Sequence, residues 1–296
     1  MILVTGAQGF LGRAVCAALG RAGLPFAGTD VETCDLTDAA AVAQVFRAGG
    51  IDTVIHLAAL LATASEADPV RAMRVHAAGS ANLFEAAAGT GTKRVVYASS
   101  MSVYGAVGSG AALDERAPAA PDSVYGASKR YVEICGAAAA KRAGFRFTAL
   151  RIASLVGPGV RNTASPWRSE IFEKLGTGSA QSIALPFAPE TVLSMVHVED
   201  AARMLLAAAA CDRVPETVYN SPAENWTASR LARAIEDADP RVKVQLERES
   251  PRGAPPVADG ARFQRDFGFK ARGLAERLQR AARRDGHISA RPSPER

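Results

Sequence analysis

Thr5-Gly6-Ala7-Gln8-Gly9-Phe10-Leu11-Gly12 decides the fold. It follows a short apolar run, Met1 to Thr5, and leads into a helical stripe of Leu11, Val15, Ala18 and Leu19. Three glycines at three-residue spacing between a strand and a helix permit positive φ, tight helix-to-strand packing and close approach of the backbone to a pyrophosphate. The helix N-terminus adds N–H groups and positive dipole. A tight turn alone could account for the glycines, so the surrounding sequence has to decide. Asp30 lies eighteen residues past Gly12 at the end of a second strand, Pro25 to Thr29, where a carboxylate accepts both hydroxyls of an adenosine ribose. It also repels a 2′-phosphate, which favours NAD over NADP.

Outward from the loop, short apolar runs alternate with helix-period segments, the pattern of βαβ units in a parallel sheet. Further strands are expected at Thr53 to Leu57, Arg94 to Ser99 and Phe147 to Arg151, with a helical stripe of Val75, Leu83 and Ala87. The link Asp30 to Leu36 reads as too short for an ordinary crossover helix. After Arg151, Gly157-Pro158-Gly159, Pro166, Gly176, Gly178, Pro186 and Pro189 break the chain into loops. Val192 to Val198 and the helix Glu199 to Ala210 are expected to rejoin the main sheet, and Trp226 to Ala238 to form another helix. The expected fold is α/β, a Rossmann-like doubly wound parallel sheet with a smaller C-terminal substrate lobe. Residues 1–153 would form the dinucleotide domain, completed by about 183–220. Residues 154–182 and 221–285 would form the lobe, and 286–296 a disordered tail.

Composition narrows the functional classes. In 296 residues, 48% are hydrophobic and 22% charged, as in ordinary globular enzymes. Lys270 to Arg296 holds eight Lys/Arg against three Asp/Glu, which accounts for the whole net charge of +5 and argues against a nucleic-acid face. Cys16, Cys34, Cys135 and Cys211 lack a C-x-x-C pair and suit buried thiols in a reducing compartment. The four histidines lack metal-ligand spacing, so no metal is expected. With no long apolar run and no charged leader, the cytoplasm is the expected location.

Tyr125-Gly126-Ala127-Ser128-Lys129 sets a phenol and an ammonium one helical turn apart. An ammonium there, together with an oxidised nicotinamide, stabilises phenolate and lowers the phenol's pKa toward acid/base use. Lys129 can also hold the nicotinamide ribose. Ser99 and Ser100 end the Arg94 strand at its carboxyl edge, the side on which open α/β sheets bind ligands, so Ser100 is placed to bond a reacting oxygen. Asp35 and Leu36 would sit near the adenine, and the small Leu57-Ala58-Ala59 would let a cofactor lie across it.

Together these motifs resemble the extended short-chain dehydrogenase/reductase family, its NAD-dependent epimerase/dehydratase group. The likeness runs through Thr5-Gly6-x-x-Gly9-x-x-Gly12, His56-Leu57-Ala58-Ala59, Ser99-Ser100-x-x-Val103-Tyr104-Gly105, Tyr125-x-x-x-Lys129 and His197-Val198-Glu199-Asp200 over residues 1 to 285. It implies Ser100, Tyr125 and Lys129 as the catalytic set, and Gly6, Gln8, Gly9, Phe10, Leu11, Gly12, Asp30, Asp35, Leu36, Leu57, Ala58, Ala59, Ser99, Tyr125 and Lys129 around NAD. Departures bear on substrate. His76 stands where the family has Asn, and reads as its structural replacement. Ser154 stands for an Asn common in nucleotide-sugar members, and Leu193-Ser194 for their Arg-Asp pair, which removes a diphosphate clamp. The segment Gly159 to Arg168 is similar to that of erythronate-type dehydrogenases, with Asn162, Arg161 and Arg168 as substrate contacts beside Ser100. The expectation is an NAD-dependent dehydrogenase acting on a hydroxyl carbon of a small sugar, polyol or sugar acid, with an anionic substrate and a homodimer both compatible with the sequence. A nucleotide-sugar epimerase or dehydratase with retained NAD, and a non-catalytic dinucleotide sensor, remain as alternatives.

Overall fold

A computed structural model describes residues 1–106, 112–160, 165–212, 214–248 and 256–283. The chain opens with strand β1 (Ile2–Thr5), helix α1 (Phe10–Arg21), β2 (Phe26–Thr29), α2 (Ala39–Arg47) and β3 (Thr53–His56). Two short helices follow, α3 (Ala62–Ala67) and α4 (Pro69–Met73). A π-helical turn, Arg74–Ala78, joins them to α5 (Gly79–Gly89). Then come β4 (Arg94–Ser100), a 3-10 turn over Met101–Tyr104, β5 (Ala112–Leu113), the twenty-residue α6 (Val124–Ala143) and β6 (Arg146–Ile152).

Five of these strands and β10 (Val218–Asn220) form one parallel sheet in the order β10-β6-β4-β3-β1-β2. β3 and nearly all of β4 are buried on both faces, as a sheet covered by helices on each side requires. Strand order reverses between β1 and β3, which opens the crevice of a doubly wound sheet at their carboxyl ends. Val15 and Leu19 of α1 pack on one face with Ala201 and Leu205 of α8 (Val198–Ala210). Val42 and Phe46 of α2, Leu83 of α5 and Val132 of α6 fill the other.

Two expectations are corrected. The link Asp30 to Leu36 holds no helix, as its length requires, but the alternation is not trimmed, because α2 follows it as the crossover to β3. Its start is set by Asp38, whose carboxylate accepts from the Ala40 and Ala41 N–H groups at 2.9 and 3.1 Å. Val42 and Phe46, four residues apart, give it a buried stripe that a reading stopping at Leu36 leaves out. Nor does the Val192 strand rejoin the main sheet. β9 (Val192–His197) lies between β7 (Ser154–Val156), parallel to it, and β11 (Glu224–Thr227), antiparallel to it. The sixth place in the main sheet goes to β10, beside β6.

The remaining elements are α7 (Trp167–Glu173), β8 (Gln181–Leu185), α9 (Ala228–Ala238), β12 (Val242–Leu246), β13 (Val257–Ala258), α10 (Ala261–Phe267) and α11 (Leu274–Ala282). β8 pairs with β12 and β13 with β5, both in parallel. α7, α9 and α11 enclose a second core of Trp167, Ile171, Trp226, Leu231, Ile235 and Leu278. Trp226 belongs to β11, and Thr227 caps α9 by accepting from the Arg230 N–H. The tail expected to be disordered lies outside the described residues.

Candidate functional site

Gly6 has φ of 68°, and a Cβ on it would stand 2.9 Å from the Ala58 nitrogen. A Cβ on Gly12 would run into the Gly6 carbonyl oxygen. α1 therefore sits against the turn only because both positions lack side chains. Gly9 is the N-cap and supplies no side-chain acceptor, which leaves the first-turn N–H groups and the positive end of the dipole for an anion. The Asp30 carboxylate stands over the same turn, accepting from the Gln8 N–H at 2.9 Å and the Val31 N–H at 2.9 Å. Carboxylate oxygens have lone pairs beyond these two bonds, so Asp30 can both fix the loop and accept ribose hydroxyls. This cradle fits a dinucleotide.

The other expected cofactor residues divide. Phe10 and Leu11 are half-buried in the first turn of α1. The N–H groups of Leu57 and Ala58 are tied to the Thr5 hydroxyl at 3.2 and 3.3 Å, which sets the strand end beneath the crevice; Ala59 follows, half-buried. Asp35 is exposed and accepts from Thr37, whereas Leu36 is buried against Gly79 with its carbonyl held by Asn82. The Ser99 hydroxyl is engaged elsewhere, donating to Glu133 at 2.6 Å.

Tyr125 lies in the first turn of α6, which is capped by Ser123 accepting from the Gly126 N–H at 3.1 Å. Ser100, at the carboxyl end of β4, lies close enough to the Tyr125 hydroxyl to lower its pKa, while its own hydroxyl donates to Ser102 Oγ at 3.1 Å. Lys129 is buried four residues on, with its ammonium 5.5 Å from the Tyr125 ring centroid and donating to the Ala98 carbonyl at 2.8 Å. The three groups thus converge at one sheet edge. Their electrostatics differ from expectation: burial raises the Tyr125 pKa above 10, and the opposing pulls come from the Ser100 hydroxyl and the Arg168 charge. Burial also pulls Lys129 down to about 7, against the Glu133 carboxylate, which pushes it up. An ammonium that titrates near neutrality is a sensitive partner for a phenol.

Arg168, in the first turn of α7, reaches the same place from the other lobe. Its Nε is sealed from solvent with no hydrogen-bond partner, and the only charge raising its pKa against burial is that of Tyr125. No carboxylate among the described residues pairs with it. Arg168 is half-buried, and a guanidinium so placed, with no counter-ion among the described residues, is suited to accept an anionic ligand. Asn162 and Arg161 lie outside the described residues.

Sequence reasoning missed the support behind this edge. Glu133, one turn past Lys129, accepts from Arg151 Nε at 2.9 Å and Nη2 at 2.7 Å as well as from Ser99 and Arg130. Arg151 also donates to the Tyr104 hydroxyl, which in turn donates to Asn220. The Tyr125-x-x-x-Lys129-x-x-x-Glu133 spacing on one helix face was the available signal. Arg13 was missed too: its guanidinium donates to the carbonyls of Gln8 and Gly159, tying the glycine loop to the Gly157 to Gly159 segment. Among the described residues no three His, Cys, Asp or Glu side chains gather to hold a metal ion, and no helix is long and apolar enough to cross a membrane.

The model of the NAD dependent epimerase/dehydratase family matches residues 2–220. The chain belongs to that family. Among curated relatives it is 32% identical to a uronate dehydrogenase of Pseudomonas syringae pv. tomato over 141 residues, 47% of this chain and 50% of the relative. A uronate dehydrogenase of Pseudomonas putida is 33% identical over 166 residues, 52% of this chain and 60% of the relative. The chain thus spans about half the length of these relatives. In three dimensions it resembles the UDP-glucose 4-epimerase of Thermus thermophilus in complex with NAD, with a TM-score of 0.81, 25% identity and coverage of 95% and 97% of the two chains. Against the epimerase/dehydratase pattern, Leu193 and Ser194 are buried, and Ser194 bonds Asn225 at 2.6 Å and the Ala258 N–H at 3.1 Å. That position therefore serves as a joint between β9, β11 and β13 and carries no cation.

Proposed function

We propose that the chain is an NAD-dependent dehydrogenase that oxidises a hydroxyl carbon of a small sugar, polyol or sugar acid, and that its substrate is anionic. The observation that carries the choice of substrate is the Arg168 guanidinium beside Tyr125, which has no carboxylate partner among the described residues and whose Nε is buried without a hydrogen bond there. A carboxylate on the substrate would satisfy it with two parallel hydrogen bonds. The absence of a cation at Leu193-Ser194 argues in the same direction, away from a nucleotide diphosphate.

Bound NAD supplies the acceptor for the hydride. The glycine turn would hold its pyrophosphate and Asp30 its adenosine ribose, with Asp35, Leu36, Leu57, Ala58, Ala59 and the Ser99 backbone along its length. Tyr125 takes the proton from the substrate hydroxyl at its phenol oxygen. Ser100 donates a hydrogen bond to the reacting oxygen, and Lys129 keeps positive charge near the phenolate while holding the nicotinamide ribose. Residues 154–182 and 221–285 would form the substrate side, with Asn162 and Arg168 as contacts and the lobe excluding water. The same groups serve reduction.

Leu61, Val70 and Met73 before α5, and Tyr131 and Ile134 on α6, are large apolar side chains left exposed, which supports a homodimer through this face. Four cysteines with no C-x-x-C pair suit a reducing cytoplasm.

The test mixes purified chain and NAD with panels of uronic and aldonic acids, aldoses and nucleotide sugars while following absorbance of the reduced cofactor. Net release of reduced cofactor with the acids supports the proposal. Turnover of nucleotide sugars without net release replaces it with epimerisation.

A further inference from the structure

Tyr97, on β4, lies against the lysine of the site. Its ring is buried at 1% exposure, and the Lys129 ammonium stands over it at 4.8 Å from the centroid, nearer than to the Tyr125 ring at 5.5 Å. The same ammonium donates to the Ala98 carbonyl at 2.8 Å. Lys129 is thus held both by the backbone of β4 and by the face of the side chain just before that carbonyl. Glu133, the carboxylate one turn further along α6, has its oxygens engaged by Arg151, Ser99 and Arg130.

The Tyr97 ring is fixed from two sides. It is the register partner of His56 on β3, with centroids 5.4 Å apart, and it stacks on Phe147 of β6 at 6.3 Å with the planes 25° apart. His56 is itself pinned by Thr5 at 2.7 Å and Ser80 at 2.9 Å. A ring packed in this way keeps one electron-rich face toward the ammonium. The Tyr97 hydroxyl is sealed from solvent with no hydrogen-bond partner among the described residues, and burial raises its pKa well above 10. The phenol therefore stays neutral and is no second acid or base. What it offers the site is its face.

A cation over an aromatic face gains most where water is excluded, and Lys129 is 2% exposed. The charged and titratable groups around the ammonium are Tyr125 and Glu133 from α6, Tyr97 from β4, His56 from β3 and His76 from the turn before α5, with Arg168 of α7 beside Tyr125. Burial keeps the two imidazoles neutral down to about pH 3 and pH 4. The Glu133 charge and the aromatic faces therefore favour charged lysine, against burial. We propose that Tyr97 is a positioning residue of the site that acts through Lys129, its ring face holding the ammonium in place and charged beside Tyr125. The consequence for turnover rests on the dehydrogenase reading above, whereas the contact itself does not. Weakening the face leaves the lysine neutral over more of the pH range, and a neutral lysine no longer steadies phenolate.

A series of phenylalanines with increasing ring fluorination, placed at position 97 of the full-length chain, tests this. Fluorine draws electron density from the face while the ring keeps its shape and packing. Titration of Lys129 is followed by carbon NMR of lysine-labelled protein, its signal identified by its loss in Lys129→Met. Tyr97→Phe should titrate as the native chain does, and the midpoint should fall stepwise with fluorination, by about 0.5–1.5 pH units in all. A midpoint that stays constant along the series overturns the proposal. Tyr97→Leu also removes packing on His56 and Phe147, so the fluorinated series is the deciding one. With NAD and D-galacturonate or D-glucuronate, the rising limb of kcat against pH should move to higher pH along the same series, with KM within about twofold. A limb that stays in place while the Lys129 midpoint falls overturns the role in turnover. If neither uronate turns over, the proposed activity fails instead, and the lysine titration still decides the assignment of Tyr97.

Discussion

Lys129 directs its ammonium at the Ala98 carbonyl, 2.8 Å away, while standing 5.5 Å from the centre of the Tyr125 ring. The lysine thus acts on the phenol as a charge held at fixed distance by the backbone of β4, without a hydrogen bond to it. Its own charge is the variable, because burial has brought it to about 7. The arrangement has consequences that can be measured one residue at a time.

Arg168→Gln should raise KM for a sugar acid by about tenfold to a hundredfold, matching the roughly 1.5–3 kcal/mol of a hydrogen bond to a charged group. A neutral aldose should be affected far less. Steady-state kinetics on the two substrates checks this, and equal losses on both would remove the carboxylate argument.

Asp30→Asn should weaken NAD more than NADP. The carboxylate both steadies the Gln8 N–H and repels a 2′-phosphate, so part of the loss falls on both cofactors and the remainder on NAD alone. Calorimetric titration with each cofactor gives the ratio, and an unchanged preference would contradict the ribose assignment.

Glu133→Gln should destabilise the fold by about 3–5 kcal/mol, since it leaves the Arg151 guanidinium buried and uncompensated. A Glu133→Gln/Arg151→Met double variant should recover much of that loss, because no unpaired charge remains. Denaturant melts of the three proteins test the coupling. Additive losses would mean that the pair is not the source of the cost.

Acid stability follows from the buried histidines. His56 and His76 have folded pKa values of about 3 and about 4, below the ordinary 6.5. Above pH 6.5 both are neutral whether folded or unfolded and contribute no pH dependence. Below it the unfolded chain binds protons that the folded chain refuses, so stability falls as pH drops from about 6.5 toward 4. Thermal melts across that window should show a declining Tm, with a shallower slope in His76→Asn.

Much of the architecture was legible because its determinants are local. The glycine turn, the short buried strands and the Tyr125-Lys129 spacing each depend on residues within a few positions of one another, and β1, β2, β3, β4 and β6 fall where their apolar runs predict. α2 escapes a reading that treats the loop from Asp30 as the whole connection, although Asp38 and the Val42-Phe46 stripe announce it. The sheet joined by Val192–His197 could not be read in the same way. Its strand sequence suits either sheet, and the choice is made by β7 and β11, tens of residues away on either side. Likewise Arg168 and Glu133 were visible as residues, but the place of one beside Tyr125 and the Arg151 partner of the other depend on tertiary packing. His76 was legible as a departure from the family pattern, yet its burial edge-on to Tyr125 depends on how the turn before α5 packs against α6.

The acid/base assignment of Tyr125 is tested most directly by Tyr125→Phe in the full chain, measuring NAD affinity and uronate-dependent formation of reduced cofactor on the same preparation. The phenol oxygen is the only group removed, so the account predicts NAD binding within about twofold of native and a loss of kcat of about a hundredfold or more. A variant that binds NAD and keeps native kcat would contradict it.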